Sequence, residues 1–189
     1  VVVELTVNEQ EFTNDGVHFE YEVVSAYSVY PSSGPVLGGT SVEVRGSSIS
    51  LPDARGLFCQ FGSAPAVAAS HSSRELVTCV VPPSANGLPG AVPVRLVNND
   101  AVYSVSVAYT YRAEIEIERV HPVLGAREGG TLLTLYGTGF LDTTTTRCRF
   151  ALVDVPARLL APGQLECRTP MPATSGYVML EVSTNGQDF

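Results

Sequence analysis

The chain repeats itself at a spacing of about ninety residues. A Val-x-Pro sequence that begins at Val29 recurs at Val120, and each copy is followed by Gly-Gly-Thr, ending at Thr40 and at Thr131. Each copy also contains one pair of cysteines, Cys59 with Cys79 and Cys148 with Cys167. A period of this length is that of a whole small domain, so it predicts an array of similar domains and not a short-repeat solenoid.

Parts of the same repeat stand at both ends of the chain. Residues 5–12 align with residues 182–189, so that an Asn, a Gln, an acid and a Phe fall in register, and residues 96–103 fit the same frame more loosely. The first repeat and the N-terminal piece both continue into an aromatic segment, whereas the last repeat stops at Phe189. We therefore expect an excerpt from a longer array. A chain that ends here with a frayed domain is the alternative, and it is disfavoured because an unpaired sheet edge is a liability.

This alignment divides the chain into three parts. They are residues 1–22, which correspond to the C-terminal strands of a preceding repeat; residues 23–111, here called the first repeat; and residues 112–189, here called the second repeat, which lacks its last strand.

Charge and hydropathy exclude several classes of function. The formal net charge is −8, and all eleven basic residues are arginine. Nucleic-acid binding needs clustered positive charge to neutralise phosphates, so we expect no nucleic-acid partner. No apolar run approaches the roughly eighteen residues of a membrane span, so we expect no direct membrane span in this segment. The hydrophobic fraction of 44% is sufficient for packed cores.

The pattern of apolar residues is that of β-strands throughout. Polar and apolar residues alternate in residues 41–45, 92–97, 103–109, 133–136 and 178–183, which is typical of half-buried strands. Gly-Gly, Asn-Gly and Pro-Gly turns separate these segments, and none shows a sustained helical period. The prediction is an all-β protein of tandem immunoglobulin-like β-sandwiches, with about seven strands each.

The cysteines indicate the compartment. One pair per repeat at matched positions suggests two intradomain disulfides, Cys59–Cys79 and Cys148–Cys167, although free core thiols are an alternative. Each disulfide would stabilise its domain by roughly 3 kcal/mol on the chain-entropy model. Because disulfides persist in oxidising compartments, we expect a secreted or cell-surface protein. There is no Asn-x-Ser/Thr sequon, so any glycans would be O-linked.

Residues that carry chemistry are few. The three histidines, His18, His71 and His121, lie in different repeat contexts, and there is neither a Gly-x-Ser-x-Gly sequence nor a lysine for a phosphate loop. We therefore predict no catalytic, cofactor-binding or metal-binding residues, and no enzyme.

An acidic segment joins the two repeats. Glu114, Glu116 and Glu118 alternate with Ile115 and Ile117, so on a strand the three carboxylates would share one face. Calcium binding at a domain junction is one interpretation. A solvated acidic face opposite two buried isoleucines is favoured, because calcium needs several converging oxygen ligands.

The combination of motifs resembles the IPT/TIG family. These are immunoglobulin-like domains of plexins and related receptors, fibrocystin-type proteins, some bacterial surface enzymes and Rel-type transcription factors. Residues 25–111 match almost end to end, and residues 117–189 match with departures at Ala126 and Ala151. The residues that carry the resemblance in the first repeat are Pro31, Gly34-Pro35, Gly38-Gly39-Thr40, Gly46, Cys59-Gln60-Phe61-Gly62, Leu76-Val77-Thr78-Cys79 and Pro82-Pro83.

The motif has a structural interpretation. The family's cysteine pair sits where these cysteines sit, which supports the two disulfides. Gly38 and Gly39 are expected to form a turn with positive φ before the strand at Ser41, while Phe61 and Phe150 are expected to fill the two cores.

Two functions compete at this point. The first is a non-catalytic extracellular structural or adhesive segment that forms a stalk or filament through protein partners or self-association. Exposed tyrosines such as Tyr27, Tyr30 and Tyr136, or an open strand edge, would supply its contacts. The alternative is a spacer that positions the ligand-binding head of a cell-surface receptor, and a weaker one is an accessory domain of a surface polysaccharide-acting enzyme. The linker has no Gly, Pro or Ser, which predicts a stiff joint and end-to-end packing.

Overall fold

The computed structural model describes residues 1–19, 21, 24–49, 56–98, 101–172 and 175–189; of residues 71–72 and 101–106 it describes the backbone alone. Within these ranges the protein consists of fifteen strands joined by turns. No helix in this part of the chain is long and apolar enough to cross a bilayer. The expectation of an all-β protein is confirmed.

The first repeat is a sandwich of two sheets. One sheet has the order β1-β3-β7-β6, and the other has the order β2-β9-β8-β4-β5. All pairs are antiparallel except β2 with β9, which is parallel. The strands are β1 (Ser25–Tyr30), β2 (Ser33–Pro35), β3 (Ser41–Ser47), β4 (Leu57–Phe61), β5 (Val67–Ala68), β6 (Ser70–Ser73), β7 (Leu76–Val80), β8 (Gly90–Asn98) and β9 (Ala101–Arg112).

The second repeat follows the same plan in one continuous sheet. Its order is β10-β11-β14-β13-β12-β15, and its long strand β13 pairs with β12 through its first half and with β14 through its second. The sequence pattern placed Val178 in the last strand, but β15 begins two residues later. The strands are β10 (Glu116–His121), β11 (Leu132–Thr138), β12 (Arg147–Phe150), β13 (Val153–Ala161), β14 (Gln164–Arg168) and β15 (Leu180–Ser183).

A disulfide crosses each sandwich. Cys59 on β4 is bonded to Cys79 on β7, so the bond joins the two sheets of the first repeat. Phe61 lies beside it, 1% exposed, and its ring meets the edge of Tyr109 at 5.6 Å between centroids. Tyr109 in turn meets Tyr111 at 5.3 Å. Three aromatic rings in edge contact therefore fill the end of this core, which is a favourable arrangement of ring quadrupoles.

The second core is smaller. Its disulfide joins Cys148 on β12 to Cys167 on β14, and both cysteines belong to the same buried cluster as Leu135 and Leu165. Phe150, which was expected to fill this core, is partly buried and packs against it.

The Gly-Gly turn has the same shape in both repeats. Gly38 and Gly129 have φ of 75° and 74°, and the next glycines have φ of 93° and 79°, as the sequence predicted for the first repeat. At Gly38 an added Cβ would lie 2.6 Å from the carbonyl oxygen of Val81, whereas at Gly39 it would meet open space. The first glycine is therefore required for close backbone approach and the second for its φ alone.

This difference predicts unequal effects of alanine at neighbouring glycines. Gly39→Ala is expected to destabilise the first repeat by about 1 kcal/mol, which is the cost of a left-handed backbone. Gly38→Ala is expected to cost about 3 kcal/mol, because the backbone of residues 81 and 82 must also move. Urea denaturation followed by circular dichroism gives both values, and equal costs for the two variants would contradict the close approach at Gly38.

Candidate domain interface

The last seven residues of the second repeat form a preorganised turn, here called the C-terminal turn (residues 183–189). Asn185 is its centre, since the side-chain oxygen accepts hydrogen bonds from the Ser183 hydroxyl (3.0 Å), the Gln187 amide (3.0 Å) and the Asp188 amide (2.9 Å). Gly186 has φ of 76°. Asn is suited to this role because its short side chain can bond backbone groups two and three positions further on.

The C-terminal turn lies against the first repeat. Three polar side chains of the turn form hydrogen bonds to it, and each bonds a different group of the segment between Ser33 and Ser41. The hydrogen bonds run from Thr40 Oγ1 to Asp188 Oδ2 (2.7 Å), from the Ser41 amide to Gln187 Oε1 (2.8 Å) and from Asn185 Nδ2 to the Ser33 carbonyl (2.9 Å).

A chain of buried hydroxyl groups supports the first of these bonds. Tyr109 donates its phenolic hydrogen to Thr40 Oγ1 at 3.0 Å, and Thr40 donates its own hydrogen to Asp188. Thr40 and Tyr109 are both fully buried. Because each hydroxyl in a chain polarises the next, the two bonds strengthen each other in this low-dielectric setting. We call the side chains of Tyr109, Thr40 and Asp188 the hydroxyl relay.

The Asp188 carboxylate is held by hydrogen bonds. Its Oδ2 accepts from Thr40 and also from Asn185 Nδ2 at 2.6 Å. In the part of the chain that the structure describes, the two salt bridges lie elsewhere, between Arg45 and Glu43 and between Arg149 and Asp154. Charge-assisted hydrogen bonds are stronger than neutral ones, so Asp188 is well suited to fixing the orientation of the turn.

Gly34 leaves the space in which the relay sits. A Cβ added at this position would collide with the Thr40 hydroxyl and the Tyr109 hydroxyl, and would crowd the Asp188 carboxylate. The glycine of the sequence motif is therefore needed to make room for two hydroxyls of its own repeat, and it also leaves space for the Asp188 carboxylate, a role that its position in the motif did not reveal.

The other side of the C-terminal turn is fixed to its own repeat. The Arg149 guanidinium lies 3.5 Å from the centroid of the Phe189 ring and forms two hydrogen bonds to Asp154, at 2.7 and 3.0 Å. The arginine holds the pKa of the Asp154 carboxyl below its usual value through these bonds. This cation–π contact and the bidentate pair hold the end of the turn on β12.

The isoleucines of the linker pack against the second repeat. Ile115 and Ile117 are partly buried against the second core, while Glu114, Glu116 and Glu118 are exposed on the opposite face. Residues of both repeats and of the linker line a shallow cleft of about 320 Å³ beside the hydroxyl relay. Among the described residues no group of three or more His, Cys, Asp or Glu is placed to hold a metal ion.

Other residues singled out from the sequence do not meet at one site. His18 is exposed in the N-terminal segment, while His71 lies on β6 and His121 ends β10. Tyr27 and Tyr30 are exposed at 63% and 60%. Tyr136 is half-buried under the Arg119 guanidinium, which lies 3.6 Å from its ring centroid.

Comparison with known proteins gives consistent matches. The family model of the IPT/TIG domain matches residues 25–111 and 116–189. Human Plexin-B1 is 32% identical over 158 residues, and mouse Fibrocystin-L is 32% identical over 131 residues. These alignments cover 78% and 68% of this chain but 7% and 3% of the relatives, so the chain spans less than a tenth of their length.

A solved structure of the extracellular region of Plexin A4 has a similar fold. It superimposes with a TM-score of 0.56 at 16% identity, and the match covers 96% of this chain and 19% of that one.

The contact between the repeats predicts a local change in amide exchange. Asp188→Ala removes the acceptor for Thr40 and loosens the turn, so the Ser41 amide is expected to exchange with solvent about tenfold faster, which corresponds to about 1.4 kcal/mol. Hydrogen exchange measured by NMR tests this. Asp15→Ala, which changes an exposed acid outside both turns, is the matched control and should leave the Ser41 amide unaffected.

The buried phenol predicts a pH dependence. Burial, opposed in part by the bond to Thr40, raises the pKa of Tyr109 to about 12. Since the folded state favours the neutral phenol, the resulting stability is complete below about pH 10, the unfolded pKa, and is lost as the pH rises through 12. Between pH 10 and pH 12, the free energy of unfolding of Tyr109→Phe should fall less than that of wild type. In the tyrosinate absorbance titration, the same variant should lack one group that ionises late. An unchanged titration would contradict the assignment.

Proposed function

Because the chain belongs to the IPT/TIG domain family, we propose that it is a non-catalytic spacer segment in the extracellular part of a cell-surface receptor. It holds neighbouring domains at a fixed distance and angle, so that a ligand-binding head is presented away from the membrane. The mechanical property that this role needs is resistance to bending at each joint between domains.

The observation that supports the proposal is the polar contact between the repeats. Three hydrogen bonds connect the segment 33–41 to the C-terminal turn, and these groups lie about 150 residues apart in the chain. A linker alone restrains one point of each domain, whereas a second attachment removes the hinge motion about that point. A joint restrained at two places is stiff, which is what a spacer requires and a flexible tether lacks.

The compartment fits this role. Two disulfides, one in each repeat, are stable in the oxidising conditions outside the cell. The relatives named as plexins match most of this chain, and the solved Plexin A4 structure is of an extracellular region. We therefore expect protein partners. A nucleic-acid partner is not expected, because the net charge is −8.

The stiffness of the joint can be measured directly. With spin labels on S63C in the first repeat and L152C in the second, we expect a narrow distance distribution by pulsed electron paramagnetic resonance. Thr40→Val combined with Asp188→Ala removes the hydroxyl relay and should broaden that distribution at least twofold. Asp15→Ala serves as the control variant. A wild-type distribution as broad as that of the double variant would refute the proposed spacer function.

The structural or adhesive filament, which the sequence analysis placed first, is now the second candidate, since stiff joints would serve it equally. Electron microscopy of the full-length protein separates the two. Single stalks that end in a globular head support the receptor spacer, and regular fibres with a domain-sized repeat support the filament.

A further inference from the structure

A second turn in the chain has the geometry of the C-terminal turn. This N-terminal turn (residues 6–12) is centred on Asn8, whose side-chain oxygen accepts hydrogen bonds from the Thr6 hydroxyl (3.1 Å), the Gln10 amide (3.1 Å) and the Glu11 amide (3.0 Å). These are the bonds that Asn185 forms with the residues at the equivalent positions. The agreement extends the sequence alignment of residues 5–12 with 182–189 to three dimensions.

The backbone at the second turn position also agrees. Glu9 has φ of 61°, where the C-terminal turn has Gly186 with φ of 76°. A left-handed backbone is uncommon for a residue with a side chain and costs free energy. The N-terminal turn therefore keeps this shape without the residue that adopts it most easily, and strained conformations of this kind concentrate at binding sites.

The segment that carries the N-terminal turn has two features in common with the last strand pair of the first repeat. The segment is a hairpin in which the amide of Val3 donates to the carbonyl of Val17. The rings of Phe19 and Tyr21 meet edge to face at 4.9 Å and 77°, as those of the aligned Tyr109 and Tyr111 meet at 5.3 Å and 80°. The turn thus joins two antiparallel arms, and the second arm carries an aromatic pair like that of β9.

The groups that form the junction in one turn are exposed in the other. In the C-terminal turn, Asn185, Gln187 and Asp188 contact the first repeat. Their counterparts Asn8, Gln10 and Glu11 are all exposed, so they present an amide donor, an amide acceptor and a carboxylate in a preset arrangement. Preorganised groups bind with less loss of conformational entropy than flexible ones.

We propose that the N-terminal turn is a docking element for another IPT/TIG repeat. The site it fits is the edge that precedes and contains Gly-Gly-Thr. There a threonine hydroxyl donates to the acid, the next backbone amide donates to the glutamine, and a carbonyl beside the earlier glycine accepts from the asparagine. The inference rests on the proposed spacer function, because a docked turn at successive joints is what would make an array stiff.

Transplanting the turn tests this within the intact chain. The substitutions Ser183→Thr, Thr184→Val, Gly186→Glu and Asp188→Glu give residues 183–189 the sequence of residues 6–12. If the N-terminal turn can dock, the Ser41 amide should exchange within about fivefold of its wild-type rate. The same variant with Asn185→Ala added should exchange more than tenfold faster, because the turn loses its central side chain.

The outcome that would overturn the proposal is fast exchange of the Ser41 amide in the transplanted variant. A Ser41 amide that exchanges as fast in the transplanted variant as in the Asn185→Ala variant overturns the proposal, provided that the amides of Leu135 and Leu165 remain protected. If their protection is also lost, the single variant Asp188→Glu decides, and fast Ser41 exchange there overturns it. A failed transplant beside a narrow wild-type distance distribution would remove this inference and leave the spacer function standing.

Discussion

A buried hydroxyl group needs a hydrogen-bond acceptor, and the Thr40 hydroxyl has its acceptor in the other repeat. Tyr109 donates to the Thr40 oxygen from inside the first core, so the hydrogen of Thr40 must point outward, toward Asp188. The space left by Gly34 and the shape imposed by Asn185 both serve this bond. A chain of hydrogen bonds thereby connects the core of the first repeat to a carboxylate of the second.

The Gly-Gly-Thr motif combines two tasks within three residues. Gly38 allows the chain to pass close to the backbone of Val81 and Pro82, which sets the start of β3. Thr40 then stands at the end of the sandwich with its side chain buried and its hydroxyl directed to the junction. One motif therefore shapes the domain and connects it, so changes in folding and in domain orientation are coupled at this turn.

Periodic and local features were predictable from the sequence, and the relative placement of the repeats was not. Alternating apolar residues predicted the strands, and Gly38 with Gly39 predicted a positive φ, because such features depend on neighbouring residues. The register of residues 5–12 with 182–189 was also visible. The contact between Thr40 and Asp188 was not predictable, because it depends on the relative orientation of two domains. A repeat in the sequence carries no information about that orientation. Nor did the matched positions of Phe61 and Phe150 reveal that the first is fully buried and the second only partly so.

The distance in sequence between Thr40 and Asp188 has a consequence for synthesis. A chain made from its N-terminus folds its first repeat before residues 183–189 have been added. Until then, water must satisfy the hydroxyl of Thr40 and the amide of Ser41. The two groups gain their protein acceptors only when β15 has joined its sheet and Asn185 has shaped the turn, so formation of these hydrogen bonds marks the completion of the following domain. The state of the Thr40 hydroxyl and the Ser41 amide therefore reports whether the neighbouring repeat has folded.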